Sequence, residues 1–338
     1  MKILVTGGLG FIGSHTVVEL QQKGYEVIVV DDLSNASIQV LDGIEGITGK
    51  RPEFVELDLR NGAGVSKLFR EHSDITGVIH FAASKAVGES VEKPLLYYEN
   101  NLVPLLNLLK ELEQKETSHF IFSSSCTVYG QAAVMPITEE APIQVALSPY
   151  GNTKQIGEEI ITDVAKVSTV NAILLRYFNP IGAHDSTLIG ELPNGVPQNL
   201  IPFITQTAIG LRKELSVFGD DYNTPDGTCI RDYIHVVDLA KAHVAALDRL
   251  VKSENTEKVE TFNVGTGRGS SVMEIIQAFE KVSHVKLAYK IVDRREGDIT
   301  EAYASTAKAN DVLGWKAELS LETALDSAWK WEQKVRNA

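Results

Sequence analysis

Two short stretches carry side chains able to move a proton: Ser123-Ser124-Ser125 and Tyr150-Gly-Asn-Thr-Lys154. Positions i and i+4 share one face of a helix, so the Lys154 ammonium is expected beside the Tyr150 phenol. Free tyrosine titrates near pH ~10, too high for a base at neutral pH. One positive charge at about 4 Å contributes roughly 4 kcal/mol at an effective dielectric of 20, or about three pKa units. With a second cation nearby the phenol becomes a usable base. Once that cation is neutralised it becomes a better acid. Tyr-x-x-x-Lys at a helix start is also a common structural pattern, so what surrounds it decides the reading.

The surroundings begin with Thr6-Gly7-Gly8-Leu9-Gly10-Phe11-Ile12-Gly13. Glycines at 7, 10 and 13 allow a tight turn, close approach of backbone to a pyrophosphate, and close helix-on-strand packing. The helix that Phe11 and Ile12 open offers free N–H groups and a partial positive charge to phosphate. Asp31 ends the next strand, where a carboxylate accepts hydrogen bonds from a ribose hydroxyl pair and repels a 2′-phosphate. That favours NAD over NADP. Asp32, Leu33, Ser34 and Asn35 belong to the same candidate site. Asp58-Leu59 either borders the adenine or caps a strand end. Phe81, Ala82, Ala83 and Lys85 fall at the strand edge where such sheets bind ligands. Lys85 is either a phosphate or ribose contact or a solvated loop lysine, and His80 reads as a core histidine.

These groups need elements to hold them. Apolar, β-branched runs (Ile3 to Val5, Val27 to Val30, Phe54-Val55, Val78-Ile79, Phe120 to Phe122, Ala172 to Leu175) alternate with segments of helical period. Such runs predict strands buried on both faces of a mainly parallel sheet, an α/β doubly wound (Rossmann-type) domain over residues 1–180. Leu95 to Lys115 and Pro149 to Lys166 are the long helices, the second capped by Ser148 with Pro149 in its first turn. Gly182 to Pro202, with three prolines and three glycines, reads as a ligand-binding excursion. Residues 181–338 form a smaller mixed α/β substrate domain, interleaved with the first through a segment around 232–265. Asp238 to Val251 is expected to be helical and Phe262 to Gly265 a strand.

The 338 residues are 43% hydrophobic and 23% charged, ordinary for a soluble globular protein. No apolar run is long enough for a membrane span, and the N-terminus lacks a signal-peptide pattern. With 32 basic and 45 acidic residues the net charge is −13. Such a surface repels nucleic acid and anionic lipid, so a polyanionic ligand must be held by a few local cations. Two distant cysteines, Cys126 and Cys229, suit a reducing cytoplasm and show no metal-ligand spacing.

TGGLGFIGSH, SSSCTVYG, SPYGNTK, RYFNPIGAH, NLIPF, RDYIHVVDLA, FNVGTG and RREGD follow one another across essentially the whole chain. In these stretches the sequence resembles the extended short-chain dehydrogenase/reductase family, and within it the branch that inverts UDP-hexoses at C4. The resemblance implies a tightly held NAD that is regenerated each turnover, and interconversion of UDP-galactose and UDP-glucose. Tyr150 is then the acid/base, Lys154 its electrostatic partner and ribose contact, and Ser125 or Thr127 a donor to the sugar oxygen. Asn100 and Phe178 are further cofactor contacts. Asn179, Asn199, Leu200, Ser216, Phe218, Arg231, Arg295 and Asp298 match the UDP-sugar contacts. From the residues alone, each arginine is also explicable as a structural ion pair, and Asn179 and Asn199 as loop asparagines.

A 4,6-dehydratase would need an acid pair where Cys126 and Thr127 stand. A dehydrogenase, an epimerase of N-acetylated UDP-hexoses only, and an NAD-bound scaffold are the other readings. Ala302 occupies the place where this family often closes the sugar pocket with tyrosine, which implies acceptance of UDP-N-acetylglucosamine as well; a one-residue shift would put Tyr303 there instead. Kinship also implies a homodimer joined through the two long helices.

Overall fold

The computed structural model describes residues 1–116, 118–295 and 297–337. Glu296, inside the RREGD stretch, lies outside the described residues. Six strands of the first half are β1 (Lys2–Thr6), β2 (Glu26–Asp31), β3 (Glu53–Glu56), β4 (Ile75–His80), β5 (Ser118–Ser123) and β6 (Val170–Tyr177). Between them run α1 (Phe11–Gln22), α2 (Val40–Thr48), α3 (Gly62–Glu71), α4 (Val87–Glu92), α5 (Pro94–Leu112) and α6 (Pro149–Val167). The second half adds β7 (Asn179–Ile181), α7 (Leu200–Ala208), β8 (Leu215–Phe218), β9 (Ile230–His235), α8 (Val236–Val251) and β10 (Val259–Val264). It ends with β11 (Gly269–Ser271), α9 (Val272–Ser283), β12 (Tyr289–Val292), β13 (Glu301–Ala302), α10 (Ala307–Asp311) and α11 (Leu321–Asn337).

Among the described residues, the main sheet has seven strands in the order β10-β6-β5-β4-β1-β2-β3, every pair parallel. The apolar runs explain it. Ile3, Leu4, Val5, Ile28, Val29, Val30, Val78, Ile79, Phe120 and Ile121 are all buried, because helices cover both faces. One face packs Val17, Leu20, Leu239 and Leu247 of α1 and α8; the other packs Leu105, Leu108, Leu112 and Ile161 of α5 and α6.

The chain order reverses beside β1: β1 leads to β2 on one side and β4 on the other. The crevice at the carboxyl ends of such strands is where open α/β sheets bind ligands. After β9 the chain re-enters this layer, with α8 against α1 and β10 at the sheet edge beside β6. Outside it, β9 joins β7, β11 and β13, and β8 pairs with β12. A separate core of Ile204, Val217, Ile276, Phe279, Leu325 and Trp329 holds this smaller part together. No described helix is long and apolar enough to cross a membrane.

Candidate active site

The glycine turn sits at the sheet's switch point. Gly7 has φ +64°, and a Cβ there would stand 2.8 Å from the Ala82 backbone nitrogen, so only glycine brings β1 and the β4 loop this close. Gly10 precedes α1 with no side chain capping it, which leaves the first N–H groups of the helix for an anion. Buried Asp31 accepts from Leu9 N at 3.2 Å and Leu33 N at 3.1 Å. Burial raises its carboxyl pKa, while the two backbone N–H groups pull the other way. Asp32 accepts from the Ser34 N–H and hydroxyl. Asn35 meets Asn194 of the excursion at 3.3 Å.

Other predicted cofactor positions carry structural work as well. Asp58 gives both oxygens to the Arg60 guanidinium, at 3.0 and 2.7 Å, which holds its pKa below the ordinary carboxylate value. Leu59 is core, so this corner offers a ligand chiefly backbone. Asn100 donates to the Ser84 hydroxyl at 2.9 Å. Its neighbour Asn101, which the sequence did not single out, binds Ser84 through both backbone groups and Thr153 Oγ1 at 3.0 Å, so it fixes the β4 loop against α6. Lys85 Nζ lies 3.3 Å from Glu191. His80 is a satisfied core histidine, bonded to Thr6 Oγ1 at 2.7 Å and driven to a pKa of about 3 by burial.

The proton-transfer residues converge where β5 ends. Ser148 caps α6 by accepting from Gly151 N at 3.1 Å, which starts the helix so that Tyr150 and Lys154 face the sheet. Ser125 caps the short turn after β5 by accepting from Thr127 N at 3.2 Å, and its hydroxyl opposes the rise of the Tyr150 phenol pKa. Thr127 Oγ1 is buried with no partner among the described residues. An orphaned hydroxyl beside these groups is what a site for an oxygen-bearing ligand requires. With the tight Gly7 approach and the uncapped α1, the residues present fit a dinucleotide and a sugar.

Lys154 does not hydrogen-bond the phenol; its Nζ donates to Ser123 O at 2.7 Å and lies 4.9 Å from the Phe122 ring centre and 5.9 Å from that of Tyr150. In the chain alone the phenol pKa moves up, because Tyr150 is buried beside Tyr177, with the Ser125 hydroxyl opposing the rise. Lys154 moves down to about 8, also by burial, with Glu158 opposing. Solvent exclusion is the largest cause of both shifts. Activity that needs the ammonium is therefore expected to fall as pH rises through about 8. The pH profile of kcat/KM should show this alkaline limb, and Lys154→Arg should move it out of range.

Behind the site lies a network the motifs did not announce. Arg176 on β6 grips Glu158 of α6 through Nε at 2.9 Å and Nη2 at 2.5 Å, all but excluded from solvent. Ser124 donates to the same carboxylate at 2.5 Å, and Arg176 Nη1 reaches Tyr129 OH at 3.0 Å. Two sequence signals pointed here: Glu158 continues the 150/154 stripe by one turn, and Arg176 directly follows the apolar run Ala172–Leu175 within β6, where a charge must find a partner.

The residues expected to meet the nucleotide gather on the smaller part. Asp298 Oδ1 is 2.7 Å from Arg295 and 3.9 Å from Arg231. Arg295 covers the Phe218 ring at 5.5 Å, and Ser216 shares that face of β8. One carboxylate against two guanidiniums leaves local positive charge in a chain of net −13. Asn199 precedes α7 without capping it, and Leu200 opens the helix half-buried. Asn179, exposed on β7, follows buried Phe178. Ala302, paired with Arg231 across β13 and β9, joins Val128, Tyr129 and Phe178 in one apolar cluster. Tyr303 goes the other way, against Gly269.

Comparison with known proteins agrees with this layout. The family model described as GDP-mannose 4,6 dehydratase matches residues 4–328. The UDP-glucose 4-epimerase of Haemophilus influenzae is 49% identical over 334 residues, 98% of each chain. Two solved UDP-glucose 4-epimerases superpose over the whole chain. That of Stenotrophomonas maltophila, with bound NAD and formylated UDP-arabinopyranose, is 46% identical with TM-score 0.96 and covered in full. That of Bifidobacterium longum, in complex with NAD+ and UDP, is 48% identical with TM-score 0.95 and 99% covered. A model named for a dehydratase and relatives named as epimerases share one framework, and full-length identity near one half selects the branch. The chain belongs to the UDP-glucose 4-epimerase family of the extended short-chain dehydrogenases/reductases.

Proposed function

We propose that this chain interconverts UDP-galactose and UDP-glucose, with NAD held through turnover. The observation that carries the reading is the convergence of Tyr150, Ser125, Lys154 and the orphaned Thr127 hydroxyl at the end of β5, with Arg231 and Arg295 gathered about Asp298 on the smaller part. The glycine turn, Asp31 and Lys85 would hold the dinucleotide. When bound, its nicotinamide supplies a reversible two-electron acceptor for the sugar C4.

The chain's own residues do the rest. Tyr150 takes the proton from the 4-hydroxyl and later returns one to the same oxygen. Ser125 Oγ and Thr127 Oγ1 steady that oxygen, and Lys154 lends positive charge while its bond to Ser123 O fixes where it stands. Arg231 and Arg295 fork onto the diphosphate. The hexose meets mostly apolar wall from Val128, Phe178 and Ala302, so the nucleotide stays anchored while the oxidised sugar turns its other face. A dehydratase would need an acid pair, and Cys126 and Thr127 supply none. The test is incubation with UDP-galactose and no added dinucleotide, followed by extraction of NAD from the protein; a chain that makes no UDP-glucose contradicts the reading.

A second substrate is favoured by Ala302. It is 3% exposed in the apolar cluster, with Tyr303 packed elsewhere, so no bulky tyrosine side chain stands at this place to oppose a 2-acetamido group. UDP-N-acetylglucosamine is expected to turn over, and Ala302→Tyr should remove that activity while sparing UDP-galactose. Failure of the unaltered protein on the N-acetylated sugar rejects the idea.

We also infer a homodimer built on α5 and α6. Leu95 is 81% exposed and Leu106 40%, an apolar stripe with nothing over it in the single chain. Equilibrium sedimentation should give a mass near twice that of one chain, and Leu106→Glu should lower it.

A further inference from the structure

The excursion after β7 is tied across the dinucleotide crevice, a feature the mechanism above does not use. Its middle reaches both walls. On the β2 side, Leu188 O packs so close to α2 that a Cβ on Gly43 would stand 2.5 Å away. Ile189 is 1% exposed within the same core cluster as Val17, Leu41 and Ile44. On the β4 side, Glu191 takes Lys85 Nζ at 3.3 Å and Asn199 Nδ2 at 2.7 Å. Its backbone oxygen accepts from Trp331 Nε1 of α11 at 2.8 Å. The strand order places β1, with its glycine turn, between β2 and β4. The segment is thus fixed to the elements that follow both neighbours of β1.

We infer that residues 184–194 form a strap that closes the dinucleotide crevice, with Glu191 as the latch, and that this strap sets how slowly the dinucleotide leaves. The inference rests on the NAD reading given above. The energetic logic is local. Glu191 joins a cation of the cofactor side to an amide of the nucleotide-sugar side, and its own carboxylate is largely shielded, with 13% of the side chain exposed. Release of dinucleotide requires the Lys85 and Asn199 bonds to open together with the Leu188–Gly43 packing. Trp331 of α11 holds the strap's backbone at Glu191 itself, so the stretch left to lift is Leu188–Ile189 over α2.

The experiment uses the protein as purified and follows release of bound NAD during a chase with excess fluorescent ε-NAD. Glu191→Ala removes the latch. Gly43→Ala pushes Leu188 off α2 without touching any polar contact, and alanine favours the helix, so folding is retained. Release is expected to quicken about fivefold or more in Glu191→Ala, the scale of a lost hydrogen bond to a partly exposed cation. A smaller acceleration is expected in Gly43→Ala. Rates within about twofold of the unaltered protein in both variants would overturn the strap. A protein that neither carries nor binds dinucleotide would overturn the NAD reading, and the strap with it.

Discussion

Replacing Tyr150 with phenylalanine is expected to lower conversion of UDP-galactose by about 10²–10⁴-fold, the range for losing a positioned acid/base. The substitution removes one oxygen from a side chain only 8% exposed and leaves the ring to pack as before. Thermal unfolding and the NAD extracted from the protein should therefore match the unaltered chain. KM should change little, since the diphosphate contacts lie on β9 and beyond. A variant that keeps a tenth of the activity would move the proton-transfer role elsewhere, with Ser125 and Thr127 the next residues to test.

The second large effect is on stability. Glu158→Ala leaves Arg176 buried, charged and without its carboxylate, and is expected to cost about 3–5 kcal/mol in chemical denaturation. The cost comes from stranding a charge more than from the intrinsic worth of the pair. Glu158→Met combined with Arg176→Met should therefore recover most of the loss. Equal destabilisation by the single and double changes would mean that the network to Ser124 and Tyr129 matters more than the charge. Because Ser124 precedes Ser125 and follows the Lys154 acceptor Ser123, the single variant should also lose activity before it unfolds.

How much of this was legible in the sequence depended on the kind of residue. Strands such as Ile3 to Val5 and Phe120 to Phe122 were readable because burial on both faces leaves no polar position. The Ser148-Pro149 start of α6 was readable because capping is local chemistry. Such local signals found the glycine turn, Asp31, Tyr150 and Lys154. What they missed depends on contacts made far along the chain. Glu191 looked like any loop carboxylate, and only the fold brings it to Lys85, 106 positions away. Arg231, Arg295 and Asp298 were named through the family resemblance, but only the fold brings Arg231 of β9 to the Arg295–Asp298 pair of the loop before β13. The burial that raises the Tyr150 phenol in the chain alone was not legible for the same reason. Spacing gives the distance between two charges, whereas the solvent they lose depends on Tyr177 and on β5 packed behind them.

The central claim is that a buried phenol works on one carbon whose hydrogen is removed and restored within a single binding event. UDP-galactose carrying deuterium at C4 tests it. The account predicts UDP-glucose with the deuterium still on C4, no label in water, and no dependence on added dinucleotide. Deuterium appearing in the solvent, or on dinucleotide free in solution, would contradict it.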